Sequence, residues 1–281
     1  MRAEPFASEA KRAWPYALAL AALLGSVVAV GANLSNAFPS QERPFGWPGP
    51  ASFENGVAMV RPDILLATTL PALLLGATAL RARDAKTERA GVLLPILAVD
   101  ALLVAAACFV GALVAFLAAA KSPVEALFAF AAASTLLALA FYSLAFLVSA
   151  LLPRHAIAPS LAIWGFFTSV YESLTRVILF RQVGYGPLAS GDFPPWFWVS
   201  QAASPFTVYR GVLILWRRGF MDYVEKAALG NAVLPSWMNA GTFALVMLGL
   251  WIVLPLGLAL GAWQFRGRAS VASSARDAEP S

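Results

Sequence analysis

Residues 91–120 read GVLLPILAVDALLVAAACFVGALVAFLAAA, and Asp100 is the only charged residue among them. A helix needs roughly 20 apolar residues to cross the ~30 Å hydrocarbon core of a bilayer, and this stretch is longer than that. The whole chain has a mean hydropathy of +0.72, with 60% hydrophobic and 12% charged residues. The stretch therefore predicts a membrane-spanning helix, and the composition excludes a soluble globular domain.

Five other apolar stretches are long enough to be spans, so we expect an all-α polytopic membrane protein with about six transmembrane helices. The first could be a cleaved signal peptide, but its apolar run exceeds the roughly 7–15 residues usual there, which favours a retained helix. Residues 1–268 are expected to form a single transmembrane domain, and residues 269–281 a disordered cytoplasmic tail. The predicted spans are 14–32, 64–80, 91–120, 124–152, 156–180 and 239–263.

The basic residues lie in short clusters beside the spans, as is typical of cytoplasmic loops. Lys11 and Arg12 precede span one, residues 81–89 follow span two, and Arg154 follows span four. An even number of spans then predicts that both termini are cytoplasmic. The expected location is the plasma (inner) membrane. The net charge of +5 is accordingly interpreted as membrane topology and not as a nucleic-acid surface, and the lipid bilayer is the expected partner.

Several kinds of site are excluded by residue counts. The chain has one histidine, His155, and one cysteine, Cys108. Bis-histidine haem and HExxH zinc sites need more ligands than these, so we expect no metal site and no catalytic residues. No stretch matches the nucleotide-binding loop G-x-x-x-x-G-K-[ST], so the chain itself is not expected to bind ATP through that motif.

The segment between spans five and six contains a predicted short helix. Ser204 suits an N-cap and Pro205 the first helical position. Aromatic and aliphatic residues follow at a spacing of three to four, which gives the helix one apolar face. Because it is too short to cross a bilayer, we expect an interfacial or re-entrant helix that forms an outer gate, with Pro205, Tyr209 and Trp216 as its key residues.

Three stretches give the chain a resemblance to a known family. They are LLALAFYSLAFLVSALLPR at 136–154, SPFTVYRG at 204–211 and WQFRGR at 263–268. In this order, with six spans, the chain resembles an ABC-2 type transporter permease, and the likeness extends over residues 14–268. The loop at 81–90 departs from the family pattern, because it is shorter than the family's usual coupling segment.

The resemblance implies a permease subunit, without enzyme activity or cofactor of its own, in an ATP-binding cassette exporter. It would move an unidentified substrate by alternating access, driven by a cytoplasmic ATPase subunit that binds the ATP, and would pair with a second permease copy as a homodimer or heterodimer. A non-transporting assembly or scaffold subunit is an alternative, and an intramembrane lipid-modifying enzyme is a weaker one. The candidate residues for ATPase coupling are Arg81, Arg83, Lys86, Glu88 and Arg154, although 81–89 could equally be a solvated topological anchor.

Polar residues within the spans are candidates for a translocation path, because charge at mid-bilayer is costly and usually faces protein or water. Asp100 could bind a cationic substrate or a proton, or pair with Arg89 or another polar partner in the bundle. Glu172 and Arg176 are four positions apart, the spacing of a helical ion pair, which favours a structural role. The full candidate set is Asp100, Tyr142, Ser143, Glu172 and Arg176.

Overall fold

The structure is a computed structural model that describes residues 4–37, 53, 57, 65, 67–81, 93–119, 123–184, 193–216 and 245–277. These residues form helices and their connections, which confirms the predicted all-α class for the described part of the chain. The elements are α1 (Glu4–Ala37), α2 (Leu70–Thr78), α3 (Leu93–Ala118), α4 (Val124–Leu151), α5 (Ile157–Gly165), π1 (Phe166–Val170), α6 (Tyr171–Val183), α7 (Pro195–Ala202), α8 (Pro205–Trp216), π2 (Met247–Val253) and α9 (Leu254–Asp277).

Four helical stretches are long and apolar enough to cross a membrane: Ala7–Gly31, Leu93–Ala118, Val124–Leu151 and Met247–Gly267. Their outward faces carry large apolar side chains, such as Leu102 and Leu117 on α3, which are 70% and 74% exposed. Apolar surface on this scale indicates an integral membrane protein. The helix described within span two, α2, has only nine residues, and the apolar part of span five is Ile157–Val170, so six complete spans stay a prediction.

Prolines mark several helix ends. α4 begins directly after Pro123, whose backbone is extended, and ends ahead of Pro153. Pro71 stands in the first turn of α2, and Pro205 is the first residue of α8. Proline suits these positions because its fixed φ matches a first turn, where its missing N–H costs no hydrogen bond.

The core of the bundle is built by α1–α4, with α4 the most buried of the spans. α1 runs parallel to α3: Arg12 contacts Asp100, and further along both helices Ala21 meets Gly111. A methyl group at Gly111 would lie 2.8 Å from the Ala21 carbonyl oxygen, so only glycine permits this approach. Close contact through small residues is how membrane helices gain packing energy without a hydrophobic driving force between them.

α2 packs against α4 in the same parallel sense. The Leu80 amide donates to Ser149 Oγ at 3.3 Å, and one turn earlier Gly76 contacts the backbone of Tyr142. A Cβ atom at Gly76 would overlap the Tyr142 carbonyl oxygen, so the two backbones touch directly. This contact places the last turn of α2 beside Tyr142 and Phe146, in the second half of α4.

Two helices extend beyond their predicted limits. α1 begins at Glu4, ahead of the predicted start at Trp14, so Lys11 and Arg12 belong to the helix and are not a flank before it. α9 continues to Asp277, so the described residues beyond Arg268 are helical where their composition predicts a disordered tail. The extension of α1 has a physical reason, since Arg12 finds partners on two neighbouring helices, α2 and α3.

α5, π1 and α6 follow one another without a break, and two short helices, α7 and α8, come after them. The Tyr171 hydroxyl donates to the Ser200 carbonyl at 2.6 Å and holds α7 against α6. The two π-helical segments contact each other edge to face through Phe167 and Trp251, whose ring centroids are 5.1 Å apart. π-Helical turns are uncommon and often lie near functional sites.

Candidate functional site

One end of the bundle gathers basic residues from separate parts of the chain. We call Arg81, Arg154 and Arg266 the basic end. Arg81 follows α2, whose end is bonded to Ser149, and Arg154 lies in the turn after α4. Arg266 Nη1 donates to the Ala150 carbonyl at 2.8 Å, which fastens α9 to the last turn of α4. Arg81 after α2, the last turn of α4 and Arg266 within α9 therefore lie at one end of the bundle.

Just inside the basic end lies a buried polar group that we call the Arg12 cluster, comprising Glu9, Arg12, Thr78, Asp100 and Tyr142. Arg12 Nη2 donates to Asp100 Oδ2 at 2.7 Å, and Nε donates to Glu9 Oε1 at 2.6 Å. Arg12 Nη1 lies 3.3 Å from Thr78 Oγ1 and 3.2 Å from the Leu75 carbonyl oxygen. The Tyr142 hydroxyl donates to Asp100 Oδ2 at 2.8 Å. One guanidinium thus joins α1, α2 and α3, and Asp100 extends the network to α4.

The burial of this cluster is close to complete. Asp100 is 0% exposed, Tyr142 2% and Glu9 3%, whereas the Arg12 side chain, at 26%, and Thr78 are partly exposed. The cluster holds two carboxylates and one guanidinium, so with all three ionised it carries one excess negative charge. Asp100 Oδ2 accepts two hydrogen bonds, whereas Oδ1 has no partner among the described residues. Buried charge normally demands full pairing, so this asymmetry requires a physical explanation.

A second feature is a small, mostly apolar cavity at the middle of the bundle. Cys108 lies near the middle of α3 and Ser134 near the middle of α4, and Tyr209 of α8 shares the cavity with them. Its volume of about 10 Å³ is close to the least that holds one water molecule. Ser134 Oγ is buried without a partner in the described part of the chain. The lining is Leu20, Leu24, Leu65, Thr68, Thr69, Cys108, Ser134, Leu137, Ala138 and Tyr209.

Among the residues predicted to couple to an ATPase, Arg81 and Arg154 are described, and both are exposed at the basic end. Their positions on adjacent helix ends would allow one partner to contact both. Arg83, Lys86 and Glu88 lie outside the described residues. Their predicted role stays a prediction, as does the interpretation of residues 81–89 as a topological anchor.

Among the predicted path residues, the structure brings Asp100 and Tyr142 together and leaves Ser143 apart. Ser143 donates to the Leu139 carbonyl of its own helix at 2.6 Å. Of the two kinds of partner expected for Asp100, Arg89 lies outside the described residues, and the polar partners found are Arg12 and Tyr142. The backbones of Glu172 and Arg176 lie on α6, and their predicted ion pair falls outside what the structure describes.

The predicted gate helix exists as α8, from Pro205 to Trp216. Pro205 and Tyr209 are buried, and Phe206, Val208 and Leu213 are buried with them. α8 packs against α4 and π2, so these side chains meet protein. The side chain of Trp216 lies outside the described residues.

Sequence reasoning missed Arg12 as a site residue, because a basic residue next to an apolar run is typical of a topological flank. Two signals pointed to it. Glu9 and Arg12 are three positions apart, which places them on one helix face. Asp100 is the only charge in its span and needs a counter-charge from elsewhere in the bundle. The polar residues Thr68, Thr69 and Ser134 around the central cavity gave no comparable signal.

In comparisons with known proteins, no family model and no curated protein matches this chain.

Proposed function

We propose that this chain is the membrane-spanning permease subunit of an exporter of the ABC-2 type, driven by a separate cytoplasmic ATPase. The observation that supports this most is the position of α8. Tyr209 of α8 reaches a cavity shared with Cys108 and Ser134, which lie near the middle of their spans. α8 has only 12 residues, about 18 Å of helix, which is too short to cross the bilayer.

A short helix that reaches mid-bundle without crossing favours the re-entrant form of the predicted gate over the interfacial form. Backbone that enters the membrane without crossing is tolerated where protein or a water-filled path surrounds it. α8 is covered by α4 and π2, and the cavity beside it is mostly apolar, with Thr68, Thr69 and Ser134 among its lining residues. In this proposal α7 and α8 close the outer side of the translocation path.

The basic end supports the second part of the proposal, the coupling of the chain to a separate ATPase. Arg81 and Arg154 are exposed and belong to different helices, so a partner bound there would act on α2 and α4 together. α2 touches α4 directly at Gly76, and both helices border the Arg12 cluster. Movement imposed at the basic end would therefore reach the interior of the bundle. Both termini are proposed to lie on this side, in the cytoplasm of a cell bounded by a plasma (inner) membrane.

The experiment is purification of the full chain in mild detergent from its native membrane, followed by identification of soluble proteins that carry a nucleotide-binding loop. We expect such an ATPase to co-purify, and charge reversal of both Arg81 and Arg154 to reduce its recovery about tenfold or more, because close interfacial charge pairs are worth ~1.5–7 kcal/mol. Arg181→Glu is the matched control, since Arg181 is an exposed arginine in the last turn of α6.

An equal loss from Arg181→Glu would show that overall charge is responsible and that the basic end is not the docking site. Recovery of the chain without any ATPase would contradict the exporter and favour the assembly or scaffold alternative. The dimeric state is tested in the same preparation by cross-linking two differently tagged copies.

A further inference from the structure

We propose that the Arg12 cluster is a proton-binding site, in which Asp100 carries the proton on Oδ1 and presents Oδ2 as the acceptor to Arg12 and Tyr142. The inference does not depend on the proposed exporter function. It follows from the hydrogen-bond pattern, the charge and the burial of the described residues.

The hydrogen bonds distinguish the two oxygens of Asp100. Oδ2 accepts from Arg12 Nη2 at 2.7 Å and from the Tyr142 hydroxyl at 2.8 Å. Oδ1 has no donor among the described residues. An ionised carboxylate has acceptor sites on both oxygens, whereas a protonated carboxyl has one carbonyl acceptor and one hydroxyl. Two donors on one oxygen and none on the other match a protonated carboxyl with its hydroxyl at Oδ1. That hydroxyl has no acceptor among the described residues, just as Oδ1 has no donor.

The charges around Asp100 point to the same state. α1 contributes Arg12 and Glu9, α4 contributes Tyr142, and the described part of α2 contributes Thr78 and a carbonyl group but no titratable side chain. Glu9 and Asp100 compete for one guanidinium. A second carboxylate charge at a buried site is strongly disfavoured, and one proton removes it.

Position decides which of the two carboxylates holds the proton. Asp100 lies seven residues beyond the start of α3, about 10 Å along the helix, and is 0% exposed. Glu9 is on the first turns of α1, nearer the end of the bundle. Arg12, with its side chain 26% exposed, links the buried carboxyl to that end of the bundle.

The test is infrared difference spectroscopy of the full-length wild-type protein in lipid nanodiscs, with the aspartate side-chain carboxyls labelled with carbon-13. We expect the carbonyl stretch of a protonated carboxyl group at neutral pH, shifted to lower frequency by the aspartate label and lost at high pH. Asp100→Asn should abolish it. The isotope assigns the band to an aspartate in the wild-type chain, and its response to Glu9→Gln assigns it to the cluster, so the test stands even if Asp100→Asn does not fold.

Two glutamate variants separate proton binding in the cluster from other protonated aspartates. Glu9→Gln removes the competing charge, so Asp100 should ionise beside Arg12 and the band should vanish at a lower pH than in the wild type. Glu125→Gln, at the exposed start of α4 and far from the cluster, should leave the titration unchanged. An aspartate band that Glu9→Gln does not move would overturn the assignment.

Two further outcomes would also overturn the proposal. The absence of any label-sensitive band in the wild type would mean that Asp100 is ionised. A band that appears in choline buffer but disappears when sodium is added would show that a metal cation, and not a proton, is the ligand that balances the cluster.

Discussion

Replacement of Gly111 by alanine tests whether the close approach of α1 and α3 holds the Arg12 cluster together. The added methyl group would lie 2.8 Å from the Ala21 carbonyl oxygen and 3.1 Å from Leu24 Cβ. Moving the first contact from 2.8 Å to the 3.4 Å of ordinary van der Waals contact requires the helices to separate by about 0.6 Å. The same two helices carry Arg12 and Asp100, so their 2.7 Å contact would lengthen as well.

The expected cost has two opposing parts. Overpacking a close contact typically costs about 1–3 kcal/mol. Glycine to alanine within a helix contributes up to ~1 kcal/mol in the opposite direction through helix propensity. Gly257 lies in α9, and a methyl group added there would meet no atom within 4 Å, so Gly257→Ala carries only the second part. The difference in unfolding free energy between the two variants should therefore be about 1–3 kcal/mol, with Gly111→Ala the less stable.

The assay is reversible unfolding by sodium dodecyl sulfate in mixed micelles, followed by circular dichroism. Gly257→Ala should unfold at the wild-type detergent fraction or slightly above it, and Gly111→Ala clearly below it. If the two variants unfold at the same point, the α1–α3 contact is not as tight as described, and the argument that it positions Arg12 against Asp100 fails.

Two further predictions concern the same end of the molecule. Tyr142→Phe removes the hydroxyl that donates to Asp100 and keeps the ring, so it should lower stability by about 0.6–1.7 kcal/mol in the same assay; an unchanged midpoint would show that this hydrogen bond contributes nothing. In a cysteine-free background, single cysteines at Ser8 and Ser274 should resist an impermeant thiol reagent in intact cells while one at Ser190 reacts, and labelling of Ser8→Cys from outside would refute the proposed orientation.

Much of the architecture could be predicted from local sequence, because hydropathy and helix punctuation are properties of consecutive residues. The run at 91–120 predicts α3, and Pro123 and Pro153 mark the limits of α4. The motif at 204–205 predicts the start of α8. In each case the cause is local. The preference of apolar side chains for lipid, or the N–H that proline lacks, affects the helix within a few residues of its own position.

The sequence by itself determined that this chain is helical and apolar enough to enter a membrane, and that Asp100 stands alone in its span. Only the tertiary structure decided that Arg12, distant in sequence and typical of a flanking residue, is a hydrogen-bond partner of Asp100. That choice depends on the register between α1 and α3, which Ala21 and Gly111 set where the helices touch. Which polar residues meet across two helices depends on how the whole helix surfaces pack. It cannot be read from a pattern of residues that are neighbours in the sequence.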